Sequence, residues 1–189
     1  MPPIRFPYRC RALAAGLIAA LLGGCQTAPS AADDGTPPLR NAPPACAANF
    51  AARTPLLTLP RTEAPADLSD SKSAPLVFAN DLKIDKSLLR AAQVTRYDNG
   101  WSSIGLRLRS EGARSLSVHL SEVALPRGAE IWLCAPDGRT QQGPYREAVG
   151  GDLWTPVIAG EEAWLEVLVE TRRQDAFKAR IADVYGGFR

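Results

Sequence analysis

Apolar residues alternate with polar ones over most of the second half of the chain. Ile104, Leu106 and Leu108 alternate with Gly105, Arg107 and Arg109. Leu116, Val118 and Leu120 alternate with Ser117, His119 and Ser121, and Leu165, Val167 and Val169 with Glu166, Leu168 and Glu170. A period of two sends successive side chains to opposite faces, which is the pattern of a half-buried strand. Residues 76–79, 130–134 and 181–185 are further strand candidates. Turn chemistry separates these runs: Ala135-Pro136-Asp137-Gly138 has the Pro and Gly placement of a type I turn, and Pro126-Arg127-Gly128 and Ala159-Gly160 do similar work. No long run of helical period exists, and only 87–93 could wind one or two turns. The pattern predicts an all-β fold, an antiparallel, jelly-roll-like β-sandwich over residues 75–189.

The start of the chain has a different texture. Arg5, Arg9 and Arg11 precede the apolar run from Ala12 to Leu22, which is too short to span a bilayer core of about 30 Å. Its length suits a secretory signal, and it ends in Leu22-Gly23-Gly24-Cys25. This resembles the lipobox of bacterial lipoproteins. The resemblance implies a signal peptide over 1–24, lipidation of Cys25 and attachment to a membrane through that anchor. Gln26 after the cysteine implies the outer membrane of a cell envelope. Cleavage nearer Ser30-Ala31-Ala32, with Cys25 discarded, is the alternative.

Residues 25–74 hold half of the 16 prolines and a single aromatic residue, Phe50. Such a segment buries too little apolar surface to offset its ordering entropy, so it reads as a disordered tether. The one apolar patch within it, Leu56-Leu57-Thr58-Leu59, could dock on the domain as an edge strand.

Charge and composition exclude several classes of function. The 22 Lys+Arg and 20 Asp+Glu nearly balance, and three of the arginines belong to the leader, so nucleic-acid binding is not expected. One His rules out a multi-histidine metal site, and the cysteine spacing does not suit zinc. No metal or cofactor is expected.

Several stretches of residues 75–189 also resemble a known family. They are Pro75-Leu-Val-Phe-Ala79, Gly105-Leu-Arg-Leu-Arg-Ser110 with Gly112-Ala113, and Leu125-Pro-Arg-Gly-Ala129 leading into Ala135-Pro-Asp-Gly138. Gly143-Pro144-Tyr145 follows, then Leu153-Trp-Thr-Pro-Val157, Gly160-Glu161-Glu162 and the closing Val184-Tyr-Gly-Gly-Phe-Arg189. In this order they resemble the N-terminal pro-region of bacterial secreted lysyl endopeptidase-like, trypsin-family serine proteases. Gly-Pro-Tyr and Leu-Trp-Thr-Pro-Val are the most specific part. The sequence contains neither a Gly-Asp-Ser-Gly-Gly motif nor a His in an Ala-Ala-His-Cys context. The resemblance therefore implies a stand-alone, non-catalytic lipoprotein that binds, chaperones or inhibits a trypsin-like protease. A truncated remnant of a secreted protease is an alternative.

Candidate sites are few. His119 is the only side chain that could serve as a triad base, and its alternation with Leu116, Val118 and Leu120 places it on the outer face as a solvated or edge-packed imidazole. Glu166 and Glu170 read as solvated strand charges rather than a glycosidase pair. No catalytic residue is expected. Cys46 and Cys134 are a candidate disulfide in an oxidising envelope, closing a loop of 88 residues. Trp132 and Trp164 stand on the opposite parity from their strands' aliphatics, so either could stack on a sugar ring. This carries a second functional reading, a carbohydrate-binding envelope module. Arg107 and Arg109 share a strand face that could meet an acidic partner.

Overall fold

The computed structural model describes residues 41–47, 53–65 and 77–189. The signal peptide over 1–24, the lipobox with Cys25, and Leu76 lie outside the described residues. Eleven strands form among the described residues. β1 is Leu56–Thr58, β2 Ala79–Ser87, β3 Gln93–Arg96, β4 Trp101–Arg109 and β5 Ser115–Ala124. β6 is Glu130–Cys134, β7 Gln141–Tyr145, β8 Leu153–Trp154, β9 Ile158–Ala159, β10 Glu162–Glu170 and β11 Lys178–Gly187. A single helical turn, α1 (Leu88–Ala91), follows β2, and a 3-10 turn, Thr171–Ala176, follows β10.

The strands form two sheets. The first runs β1-β4-β10-β6-β7, with β3 also on β4; the second runs β2-β11-β5-β8, with β9 also on β5. Every pairing is antiparallel except β1 with β4. The expected all-β sandwich is the observed fold. Its core is the set of residues that alternation picks out. Ile104, Leu106 and Leu108 face Leu165, Val167 and Ala163 across β4 and β10, and Ile131 and Leu133 continue that layer from β6. Leu116, Val118 and Leu120, with Ile181 and Val184, supply the opposing layer. Truncating any one of these leucines to Ala costs about 2–5 kcal/mol through lost burial and the cavity left behind.

The turns follow their chemistry. Gly138 donates to Ala135 O at 2.9 Å and holds φ 69°, so the residue after Pro-Asp is the one that tolerates the left-handed region. Ala129 closes on Pro126 O in the same way.

The expectation of a disordered tether over 25–74 does not hold for its described part. Residues 53–65 are woven into the fold. β1 pairs in parallel with the second half of β4, Leu59 N–H donates to Arg109 O, and Leu59 is buried in the core. Beyond it, Thr62 is buried: its N–H donates to Glu111 O, and its hydroxyl meets Ser110 Oγ at 2.8 Å. Thr62 lies so close to Gly186 that an added Cβ there would overlap its hydroxyl. Low average hydropathy over a long window hides such a segment, because two leucines and one threonine are enough to fix it.

Candidate functional site

Two regions gather ionisable and aromatic side chains, one on the outer face of each sheet.

On the first sheet, the outward parity of β4, β10 and β6 presents Ser103, Trp164, Glu166, Trp132 and Cys134. Residues 41–47 lie over this face. Cys46 is bonded to Cys134, with their Cα atoms 5.6 Å apart. The Cys46 N–H donates to Glu166 Oε2 at 2.6 Å, and Ser103 Oγ–H donates to Glu166 Oε1 at 2.8 Å. Asn99 Nδ2 holds the carbonyl of Asn41 at 2.7 Å. Glu166 is thus 1% exposed, which corrects its reading as a solvated strand charge. Alternation places it on the outer face correctly, but a covalently fixed segment covers that face. Burial raises its pKa above the ordinary carboxylate value, against the lowering effect of the two hydrogen bonds. The two thiols are consumed in the disulfide, so Cys46, Cys134 and Glu166 are not a metal-ligand set.

The same cover buries one of the two rings considered as a sugar platform. Trp164 is 1% exposed and packs with the disulfide. Trp132 is half-buried against that cluster, and Gly143 lies so close to its ring that a Cβ at 143 would contact it. The Gly143–Pro144 peptide bond is cis. Arg107 and Arg109 do share a face, but Arg107 pairs with Glu162 at 3.6 Å and Arg109 with Glu161 at 3.7 Å. Each thus has a carboxylate of its own chain within ion-pair distance.

The second sheet carries the more open cluster. His119 on β5 is in register with Asp183 on β11 and with Trp154 on β8. Its Nδ1 lies 3.0 Å from Asp183 Oδ2 and its Nε2 lies 2.8 Å from Asp152 Oδ1. Asp183 in turn meets Lys83 Nζ at 2.7 Å, and Lys83 also reaches Asp81 at 3.0 Å. The result is a line of alternating charge from Asp152, just before β8, across β5, β11 and β2. Burial alone would lower the His119 pKa, but the hydrogen bonds to Asp183 and Asp152 outweigh it and raise the value above 6.5. Burial would likewise raise Asp183, yet bonds from Lys83 and His119 hold it below the ordinary carboxylate range. Hydrogen bonds to Asp183 and Asp81 push Lys83 well above its usual value.

Trp154 stacks on the His119 imidazole, with ring centroids 3.7 Å apart and planes within 8°. Tyr185 flanks it at 5.7 Å. Trp154 remains 57% exposed, as does Val157, and Val149 is 85% exposed. The Leu-Trp-Thr-Pro-Val stretch explains this arrangement. Leu153 and Ile158 enter the core, and Thr155 is tied to Val118 through both its N–H and its hydroxyl. Trp154 is therefore forced outward on a short rigid ladder. Alternation could not reveal this residue, since a strand of two residues has no period to read. The available signal was its position between Leu153 and the turn-forming Thr-Pro.

Both imidazole nitrogens of His119 engage carboxylates. A triad base needs one nitrogen on a carboxylate and the other on a nucleophile, an arrangement this pair of bonds uses up. Among the described residues no helix is long and apolar enough to cross a membrane. Comparison of the chain with protein-family models, with curated proteins and with solved structures returned no match.

Proposed function

We propose that this chain is a non-catalytic binding module of the bacterial cell envelope, attached at Cys25 and holding a protein partner against the Trp154 face. The observation that carries the reading is the exposed Trp154 ring, kept in one orientation by its stack on a doubly pinned His119. Large rigid aromatic residues lose little conformational freedom on contact and dominate the energetics of protein interfaces. Val149 and Val157, exposed on the same segment, add apolar area of the kind that marks an interaction surface. The Leu-Trp-Thr-Pro-Val stretch is also where resemblance to the serine-protease pro-region is most specific. The partner is accordingly a trypsin-like protease, which the module chaperones, docks or inhibits.

The test uses the full chain as bait against envelope and secreted proteins of its source, beside a Trp154→Ala variant. Recovery of a trypsin-like protease by the first and not the second supports the reading. Recovery of the same protease by both would move the interface elsewhere, and recovery by neither would remove the protease. A carbohydrate-binding role is the second reading, because Trp154 and Tyr185 beside Asp152 and Asp183 combine aromatic faces with hydrogen-bonding groups. A glycan that binds the chain but not Trp154→Ala would favour it.

A further inference from the structure

A cleft of about 730 Å³ opens at the flank of the sandwich where β1, α1 and the far ends of β2, β5 and β11 meet. That volume lies within the usual range of small-molecule sites, about 300–1,000 Å³. It lies beyond the charge line at His119, toward one end of the same strands β2, β5 and β11, and neither functional reading uses it.

Apolar side chains form part of the cleft wall. Leu57 of β1, Leu89 and Ala91 of α1, Leu106 of β4 and Ala179 of β11 line it. The rim is charged and unbalanced. Lys86, Arg90, Lys178 and Arg180 face Asp85 and Glu122. Both carboxylates are engaged by one cation: Arg180 binds the Asp85 carboxylate and carbonyl oxygen, and lies 3.8 Å from Glu122. Lys86, Arg90 and Lys178 have no carboxylate partner among the described residues.

The backbone is distorted at the same place. Asp85 and Glu122 hold φ 47° and 51°, the left-handed region that side chains other than glycine rarely adopt. Each coincides with a break in register against β11: one near 83–86 on β2, the other near 121–124 on β5. Bulges and non-glycine residues of positive φ recur beside functional sites, where surrounding structure holds them against their cost. Here both bulged residues grip the same Arg180, which shapes the rim and neutralises that one cation. The three others are left to face the opening.

We propose that this cleft binds a single-chain amphipathic anion, a fatty carboxylate, with its alkyl chain among Leu57, Leu89 and Leu106 and its carboxylate toward Lys86, Arg90 and Lys178. The partly buried Leu57, Leu89 and Ala91 offer that chain apolar contact. The surplus of free cations selects a negative head.

The experiment is calorimetric titration of the full chain with dodecanoate below its micellar concentration, beside dodecyltrimethylammonium, which has the same tail and the opposite charge. Saturable dodecanoate binding is expected, at least tenfold tighter than that of the cationic probe. Lys86→Glu with Lys178→Glu, both exposed positions, should weaken it about tenfold or more, and Ala91→Trp should abolish it by filling the cleft. Circular dichroism and the melting midpoint confirm that each variant is folded, and the rim variant suffices if Ala91→Trp is not. Trp154→Ala should leave dodecanoate affinity unchanged, which separates this site from the protein-binding face. Absence of saturable binding, equal affinity for both head groups, or unchanged affinity in the folded rim variant would overturn the proposal.

Discussion

Removing the Cys46–Cys134 bond is the perturbation that most directly tests how the upstream segment belongs to this fold. The bond closes 88 residues. On the chain-entropy relation a loop of that length stabilises by about 4–5 kcal/mol, and native disulfides in practice contribute about 2–5 kcal/mol. Losing it also frees the segment that covers Trp164 and Glu166, so the Glu166 carboxylate loses the Cys46 N–H donor. The assay is urea unfolding of Cys46→Ala, Cys134→Ala and the double variant, followed by tryptophan fluorescence. With a slope of about 2 kcal/mol per molar, a loss of about 4 kcal/mol moves the midpoint down by about 2 M. Either single substitution already breaks the bond. The double variant should therefore fall within about 0.5 kcal/mol of the larger single effect rather than at the sum. A midpoint shift below about 0.5 M, or additive single effects, would refute the reasoning. It would mean that local packing holds residues 41–47 and the covalent loop contributes little.

Other outcomes follow from the same geometry. Gly186→Ala should destabilise by about 1–3 kcal/mol, because the added methyl group displaces buried Thr62, and thermal unfolding measures it. His119 should titrate above 6.5 by NMR, since it gains two carboxylate partners on folding. The stability it contributes is complete below pH 6.5 and fades as pH rises through its folded value; His119→Gln should flatten that part of the profile. Glu166 is raised by burial, so its effect has the same sign at lower pH: stability is greatest below about 4.5 and declines as pH rises through its folded value. Glu166→Gln should remove that decline, measured as the change in unfolding free energy between pH 5 and 7.

The fold was legible where strands are long. β4, β5 and β10 each run nine or ten residues with one apolar face, so their period announced both the element and its core side. Short strands were not legible. β3, β8 and β9 run two to four residues, and their place comes from neighbours far along the chain. Parity also told which face a residue occupies without telling what covers that face. Trp164 and Glu166 are outward by parity and buried in fact, because residues 41–47 are fastened above them. Trp154 shows the converse: its exposure is set by Leu153 and Thr155 on either side, both anchored in β5 pairing. The pairing of Cys46 with Cys134 could be named as a candidate from compartment and count, but only the folded chain brings Cα atoms that are 88 residues apart to 5.6 Å.

The covering segment also decides how the domain carries a load. The disulfide welds Cys46 to the end of β6, a strand flanked on both sides by β10 and β7. A pull arriving through Asn41 is delivered by a covalent link into the interior of the first sheet before it reaches β1. The three-residue edge strand, which would otherwise peel first, is shielded from that tension. Mechanically the domain is hung from its middle rather than from its hem, and reducing one bond would change which strand bears the strain.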